Sequence, residues 1–94
     1  MINLQHLARD SRAAAEHRGI KLGIYEFADK FREEVEEYAD GDTFACKFSH
    51  EFSNYEEELA DIILVALTAL NWIGCTDIEK LLLEKLKYNQ HRQD

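Results

Sequence analysis

The stretch EELADIILVALTAL, residues 57–70, begins with carboxylates and continues as an apolar run. Its middle, residues 62–70, is apolar on nearly every side of a helix, which is typical of a helix buried on all faces. At helical spacing Glu58 and Asp61 share a face with Thr68, and that face becomes apolar within one turn. The two carboxylates are therefore predicted to be at least partly buried. Such burial costs several kcal/mol unless a cation or hydrogen bonds compensate it.

A second acidic stretch, EEVEE, occupies residues 33–37. Glu34 lies at the edge of an apolar stripe and Glu37 follows one turn later, whereas Glu33 and Glu36 fall on the solvent side. The stripe consists of Ile24, Phe27, Ala28, Phe31, Val35, Tyr38 and Ala39.

Two acidic pairs, each spaced by three residues, are thus placed to converge between two antiparallel helices. Carboxylate oxygens are ligands that suit a hard divalent cation such as Mg²⁺. Salt bridges to lysine or arginine on adjacent helices are the alternative role. The four carboxylates concerned are Glu34, Glu37, Glu58 and Asp61.

Glycines divide the chain into helix-length pieces. The chain has no proline, and its four glycines stand at positions 19, 23, 41 and 74, as expected of helix ends. Helices are predicted over about 2–17, 22–40, 53–73 and 77–90. The last two begin at the capping-box patterns Ser53-Asn54-Tyr55-Glu56 and Thr76-Asp77-Ile78-Glu79. The sequence predicts an all-α, four-helix antiparallel bundle that forms a single domain over residues 1–94.

Composition limits the classes of partner. Lys plus Arg number 11 and Asp plus Glu 19, so the formal net charge is −8, which disfavours binding long nucleic acid through its phosphates.

Cys46 and Cys75 lack CxxC spacing, which favours reduced thiols in a cytoplasmic protein. We see no signal peptide, and no apolar run reaches the ~20 residues of a membrane span. Glycine-rich phosphate loops and nucleophile motifs are also missing.

The fourth helix carries an apolar stripe that its polar residues continue. Lys85, Asn89 and Arg92 follow Ile78, Leu81, Leu82 and Leu86 along one face. This change from apolar to polar residues indicates a solvated, functional end of the helix. The alternative is an ordinary C-terminal turn, where basic groups interact favourably with the helix dipole. The segment from Phe44 to Phe52 is expected to be a loop that packs on the body of the protein or on a second subunit.

The sequence contains an ExxE motif at residues 34–37 and, after twenty further residues, an ExxD motif at residues 58–61. This order resembles that of the all-α NTP pyrophosphohydrolases, the MazG-like group with its dimeric dUTPase relatives. Residues 33–37 resemble that family's EEVGE, residues 57–62 its EELADV, and residues 85–89 its closing KxxxN segment. The likeness covers roughly residues 20–92. Glu36 departs from the usual small residue, and the aromatic segment matches no family motif. Phosphoribosyl-ATP pyrophosphatase is a near alternative, but the KxxxN ending fits the MazG-like group better.

The resemblance implies hydrolysis of a (d)NTP to the monophosphate and pyrophosphate, in clearance of the nucleotide pool. It assigns Mg²⁺ binding, with Mn²⁺ as a substitute, and catalysis to Glu34, Glu37, Glu58 and Asp61. It assigns contacts to phosphate or sugar to Lys85, Asn89 and Arg92. Members assemble as homodimers or homotetramers with the site near a subunit interface, so oligomerisation is expected to complete the bundle. The alternative is a non-catalytic helical oligomer or binding module on the same scaffold.

Overall fold

The computed structural model describes residues 1–41 and 51–93. Over these residues the protein is all-α and contains no strand, which confirms the predicted four-helix fold. The helices are α1 (Leu4–His17), α2 (Ile24–Ala39), α3 (Asn54–Trp72) and α4 (Ile78–His91). None of these four is both long enough and apolar enough to cross a membrane. Residues 44–50 of the aromatic segment lie outside the described residues.

Two glycines end helices as the sequence predicts. Gly19 and Gly74 have φ values of 75° and 85°, a left-handed backbone that glycine adopts without a Cβ penalty. At α1 the Gly19 N–H donates to the Glu16 carbonyl at 2.9 Å, and the Ile20 N–H donates to the Ala15 carbonyl at 3.0 Å. The same pair of bonds closes α3, so both ends are Schellman motifs.

The two capping boxes have different outcomes. At α3 the Ser53 side chain accepts from the Glu56 N–H, and the Glu56 side chain accepts from the Ser53 N–H, as predicted. At α4 the predicted Thr76 cap is wrong, because Asp77 is the N-cap and its carboxylate accepts from the Lys80 N–H at 3.0 Å. A carboxylate at the N-cap accepts a hydrogen bond from a free helix N–H, and its negative charge interacts favourably with the positive end of the helix dipole.

Helix α3 lies at the centre of the fold, with α1 and α2 both packed against it. Ala8 is fully buried, and its small side chain lets α1 approach α3 closely. The core is formed by Ala8, Leu67 and Ile78, surrounded by Leu4, Leu7, Leu64, Leu70 and Cys75. Helix α4 contacts α1 at one end.

The side chain of Gln5 connects α1 to the turn between α3 and α4. Its Nε2 donates to the Cys75 carbonyl at 2.7 Å. Its Oε1 accepts from the Ile78 N–H at 2.8 Å. Because Ile78 is fully buried, this pair of hydrogen bonds fixes the start of α4 against the core.

The apolar stripes are covered less completely than the sequence suggests. On α2 the buried residues are Phe27 and Glu34, while Val35 of the predicted stripe is 53% exposed. On α3, Ile63 is 58% exposed, so burial on all faces is not reached within one chain. The face of α2 that meets α3 therefore includes Glu34 itself, which the stripe had placed only at its edge.

Candidate metal centre

The predicted carboxylates converge between α2 and α3. One carboxylate oxygen each from Glu34, Glu58 and Asp61 lie within 4.8 Å of one another. A second group of three, Glu33, Glu34 and Glu37, meets the same distance limit and lies within α2. Glu34 belongs to both groups and is therefore the centre of the cluster.

Burial distinguishes this cluster from an ordinary acidic surface. The Glu34 side chain is only 6% exposed, although it is a carboxylate. Glu34 Oε2 and Glu58 Oε2 are inaccessible to solvent, and neither has a hydrogen-bond partner in the described part of the chain. A buried carboxylate oxygen without a partner is costly unless a cation or an ordered water compensates it.

One lysine lies among these carboxylates. Lys30 Nζ lies 3.1 Å from Glu34 Oε1 and 3.5 Å from Glu33 Oε1. Burial acts to lower the pKa of Lys30, but the hydrogen bond and attraction to Glu34 outweigh it, and the pKa is raised. The salt-bridge alternative is thus realised for one oxygen of Glu34, from the same helix rather than an adjacent one.

The remaining carboxylates repel one another. Burial is the main cause of the raised pKa of Asp61, and the negative charges of Glu34 and Glu58 add to it, while Lys30 opposes it. The pKa of Glu37 is raised mainly by the charge of Glu34, with a further contribution from Glu58. The cluster therefore carries more negative charge than Lys30 neutralises.

A cavity of about 610 Å³ adjoins the cluster and runs between α1, α2 and α3. Lys30, Glu34 and Asp61 line it together with two further cations, Arg18 and Lys21. Its apolar lining comes from Leu7, Ala14, Ala15, Ile20, Leu22, Phe27, Leu64 and Val65. The arrangement offers an apolar compartment beside a group of carboxylates, with cations among the residues that line it.

The fourth helix does not contribute to this site within one chain. The residues of α4 beyond Ile78 are exposed, and none of them lines the cavity. Lys85 instead lies over the ring of Tyr88, with Nζ 4.6 Å from the ring centroid. The polar face of Lys85, Asn89 and Arg92 is thus exposed rather than directed at the core. Their role as substrate ligands stays a prediction.

Several residues of the site were not singled out from the sequence. Lys30 stands four residues before Glu34, and that spacing is a usable signal for an ion pair on a helix. Ser11 and Thr68 line the cavity from two different helices, and no local pattern could have joined them.

Comparison of the chain with protein-family models, with curated proteins and with solved structures finds no significant match.

Proposed function

We propose that this protein is a Mg²⁺-dependent nucleoside triphosphate pyrophosphohydrolase, which converts a (d)NTP and water to the (d)NMP and pyrophosphate. The observation that carries the proposal is the pair of buried, unpartnered oxygens, Glu34 Oε2 and Glu58 Oε2. They belong to a convergent group of carboxylates next to a cavity. The order of the acidic motifs, which resembles that of the MazG-like enzymes, supports the same reaction.

The donor set fits a hard divalent cation. All the converging atoms are carboxylate oxygens, the ligand type that Mg²⁺ and Mn²⁺ prefer. Exposed acidic groups occur in many proteins without any metal, whereas a buried polar atom without a partner needs a specific explanation such as a bound ion or an ordered water. A divalent cation bound by Glu34, Glu58 and Asp61 would compensate both atoms, with Glu37 at the exposed edge.

The carboxylate cluster and the cavity have different roles in the proposed reaction. Mg²⁺ held by the carboxylates would polarise phosphate oxygens and lower the pKa of a bound water. Lys30, Lys21 and Arg18 line the cavity and supply positive charge for the phosphates of a substrate. The apolar walls bind the nucleoside and exclude water from it.

The complete enzyme is proposed to be a homo-oligomer that acts in the cytoplasm. The buried core of one chain is small, and α4 leaves several leucines exposed. Packing of α4 against a second copy would cover these leucines and bring Lys85, Asn89 and Arg92 toward a neighbouring site. In this arrangement the predicted phosphate ligands act between subunits rather than within one chain.

A non-catalytic helical oligomer is the second candidate. The ion pair between Lys30 and Glu34 favours it, because an internal lysine already neutralises part of the cluster. In that case the carboxylates would need no metal, and Mg²⁺ would leave the thermal stability unchanged. A ligand that binds only the folded state raises its stability, so metal titration separates the two candidates.

The deciding experiment is a pyrophosphate-release screen over common and modified NTPs and dNTPs with Mg²⁺. We expect release with at least one nucleotide, and its loss in Glu58→Gln, because that change removes a metal ligand while preserving shape. Glu36→Gln is the matched control, since Glu36 is exposed on the same acidic helix and should retain activity. If no nucleotide gives pyrophosphate release and Mg²⁺ does not raise the Tm, the enzyme hypothesis is rejected and the non-catalytic oligomer is retained.

A further inference from the structure

A pair of hydroxyl groups lies in the cavity, away from the carboxylates. Ser11 Oγ on α1 and Thr68 Oγ1 on α3 are 2.7 Å apart. Thr68 Oγ1 also lies 2.8 Å from the Leu64 carbonyl oxygen, and Ser11 Oγ lies 3.2 Å from the same atom. Both side chains line the cavity, and Thr68 is 5% exposed.

These distances limit where the two hydroxyl protons can lie. Two oxygens so close together must share a proton, and a carbonyl oxygen has none to give. Either hydroxyl can be the donor of the contact between Ser11 and Thr68. If Ser11 donates to Thr68, then Thr68 donates to the Leu64 carbonyl, and if Thr68 donates to Ser11, then Ser11 donates to that same carbonyl. In either case both protons are consumed inside the protein, and Ser11 Oγ keeps a free lone pair, so it is a hydrogen-bond acceptor.

The position of this acceptor relative to the carboxylates suggests what it contacts. Asp61 and Thr68 are both on α3 and line the same cavity, and seven residues of helix separate them by about 10 Å. That separation is comparable to the distance from the α-phosphate of a nucleotide to the far edge of its base. It exceeds the distance from that phosphate to the sugar hydroxyls. The cavity wall between the two residues is apolar, formed by Leu64 and Val65.

We propose that the cavity binds the nucleobase of the substrate, and that Ser11 selects bases carrying an exocyclic amino group. The inference rests on the proposed function for the placement of the phosphates at the carboxylates. An amino group donates to the lone pairs of Ser11. The imino N–H of uracil or thymine is flanked by two carbonyl oxygens, and their repulsion of those lone pairs weakens the hydrogen bond that this N–H can donate. Cytosine, adenine and guanine carry such an amino group and fit this acceptor better than uracil or thymine, which carry none.

The test measures binding of product nucleotides, so it does not depend on turnover. Isothermal titration calorimetry would compare cytidine monophosphate with its analogue that has hydrogen in place of the 4-amino group. Adenosine monophosphate would be compared with purine riboside monophosphate in the same way. Fluorescence of Trp72, the single tryptophan, gives a second readout, because its ring centroid lies 5.7 Å from that of Phe27 in the cavity wall.

We expect the wild-type protein to bind the amino-bearing member of at least one pair about threefold to tenfold more tightly, the range of one net hydrogen bond. Ser11→Ala should bring that ratio close to one. Alanine is the best helix former, so α1 is expected to persist, and circular dichroism checks this. Thr68→Ser keeps both hydroxyls and should retain the preference. Thr76→Val, at an exposed threonine outside the cavity, is the matched control.

Three results would overturn the inference: no binding of any of these nucleotides, binding without preference, or a preference that Ser11→Ala leaves intact. The pyrophosphate screen is scored separately. Pyrophosphate release combined with an unchanged ratio in Ser11→Ala would keep the proposed function and reject the role of Ser11. An amino preference that Ser11→Ala abolishes, without pyrophosphate release, would support the base pocket and reject the enzyme.

Discussion

Lys30 Nζ lies 3.1 Å from Glu34 Oε1, one turn along the same helix and within the group of carboxylates that faces α3. The ammonium group compensates one oxygen of Glu34, while Oε2 is buried without a partner. Lys30 is therefore a covalently attached counter-ion of the cluster. A divalent cation that binds Glu34 must compete with it or remain close to its positive charge.

Lys30→Met is expected to destabilise the metal-free protein and to strengthen metal binding. Loss of a hydrogen bond to a buried carboxylate lowers the free energy of unfolding by about 2 kcal/mol. Mg²⁺ should then raise the Tm of the variant more than that of the wild type, because no ammonium repels it. Urea unfolding and Mg²⁺ titration followed by thermal unfolding measure the two effects.

The control for this change is Lys21→Met. Lys21 also lines the cavity and pairs with Glu26 at 3.3 Å, but its side chain is 83% exposed. We expect little change in either measurement for this variant. A smaller Mg²⁺ response in Lys30→Met than in wild type would contradict competition and indicate that Lys30 helps to hold the carboxylates together.

Asp61→Asn is expected to stabilise the metal-free protein at neutral pH. The pKa of Asp61 is raised above its ordinary value of 3.8, so the folded state binds the proton more tightly than the unfolded chain does. The contribution of Asp61 to stability is therefore highest below that ordinary value and is lost as pH rises through the raised pKa. Asparagine does not ionise, so it should avoid this loss.

Urea unfolding at a series of pH values, from below 3.8 to neutrality, measures the difference between Asp61→Asn and wild type. The difference should grow with pH in the absence of metal and reverse when Mg²⁺ is added, since the variant lacks a ligand. Glu36→Gln, an exposed carboxylate of the acidic helix, should show no such trend. An Asn variant that is less stable than wild type at neutral pH without metal would contradict the prediction.

Local signals account for most of what could be predicted from the sequence. Positive-φ glycines and an N-terminal hydroxyl act within a few residues, so the helix ends were located to within two residues. The partial burial of Glu58 and Asp61 followed from a helix that becomes apolar one turn later. The convergence of Glu58 and Asp61 with Glu34 requires only that two such helices pack side by side.

The remaining features depend on which surfaces are covered. On α2 the predicted stripe includes both Phe27 and Val35, but packing against α3 buries Phe27 and Glu34 and leaves Val35 exposed. Periodicity predicts which residues share a face and not whether a neighbour covers that face. The apolar stripe of α4 is therefore evident in the sequence, although most of it is exposed in the structure. Ser11 and Thr68 are 57 residues apart, and only tertiary packing brings them together.

Gln5→Ala is expected to lower the free energy of unfolding by about 1–3 kcal/mol, the cost of leaving partly buried backbone groups unpaired. The change removes hydrogen bonds to the Cys75 carbonyl and from the Ile78 N–H. Urea unfolding measures it, with Gln90→Ala on the exposed part of α4 as the control. Equal stability of the two variants would mean that water replaces both bonds and that Gln5 does not fix α4.

Leu82→Glu combined with Leu86→Glu is expected to convert the proposed oligomer to a monomer. The four leucines of α4 are each between 43% and 58% exposed, which is a large apolar surface for one helix to leave uncovered. They are Leu81, Leu82, Leu83 and Leu86. Sedimentation velocity measures the mass. The control is Ile24→Glu on α2, at an isoleucine that is 71% exposed, which should leave the assembly intact.

The same α4 variant tests whether Lys85 and Asn89 act between subunits. If a second copy supplies these residues, pyrophosphate release should fall when the oligomer dissociates, although every carboxylate of the cluster is still present. The Mg²⁺-dependent rise in Tm should persist, because Glu34, Glu58 and Asp61 belong to one chain. A wild-type protein that is monomeric and active at micromolar concentration would contradict this arrangement, and the cations of the cavity would then be the phosphate ligands.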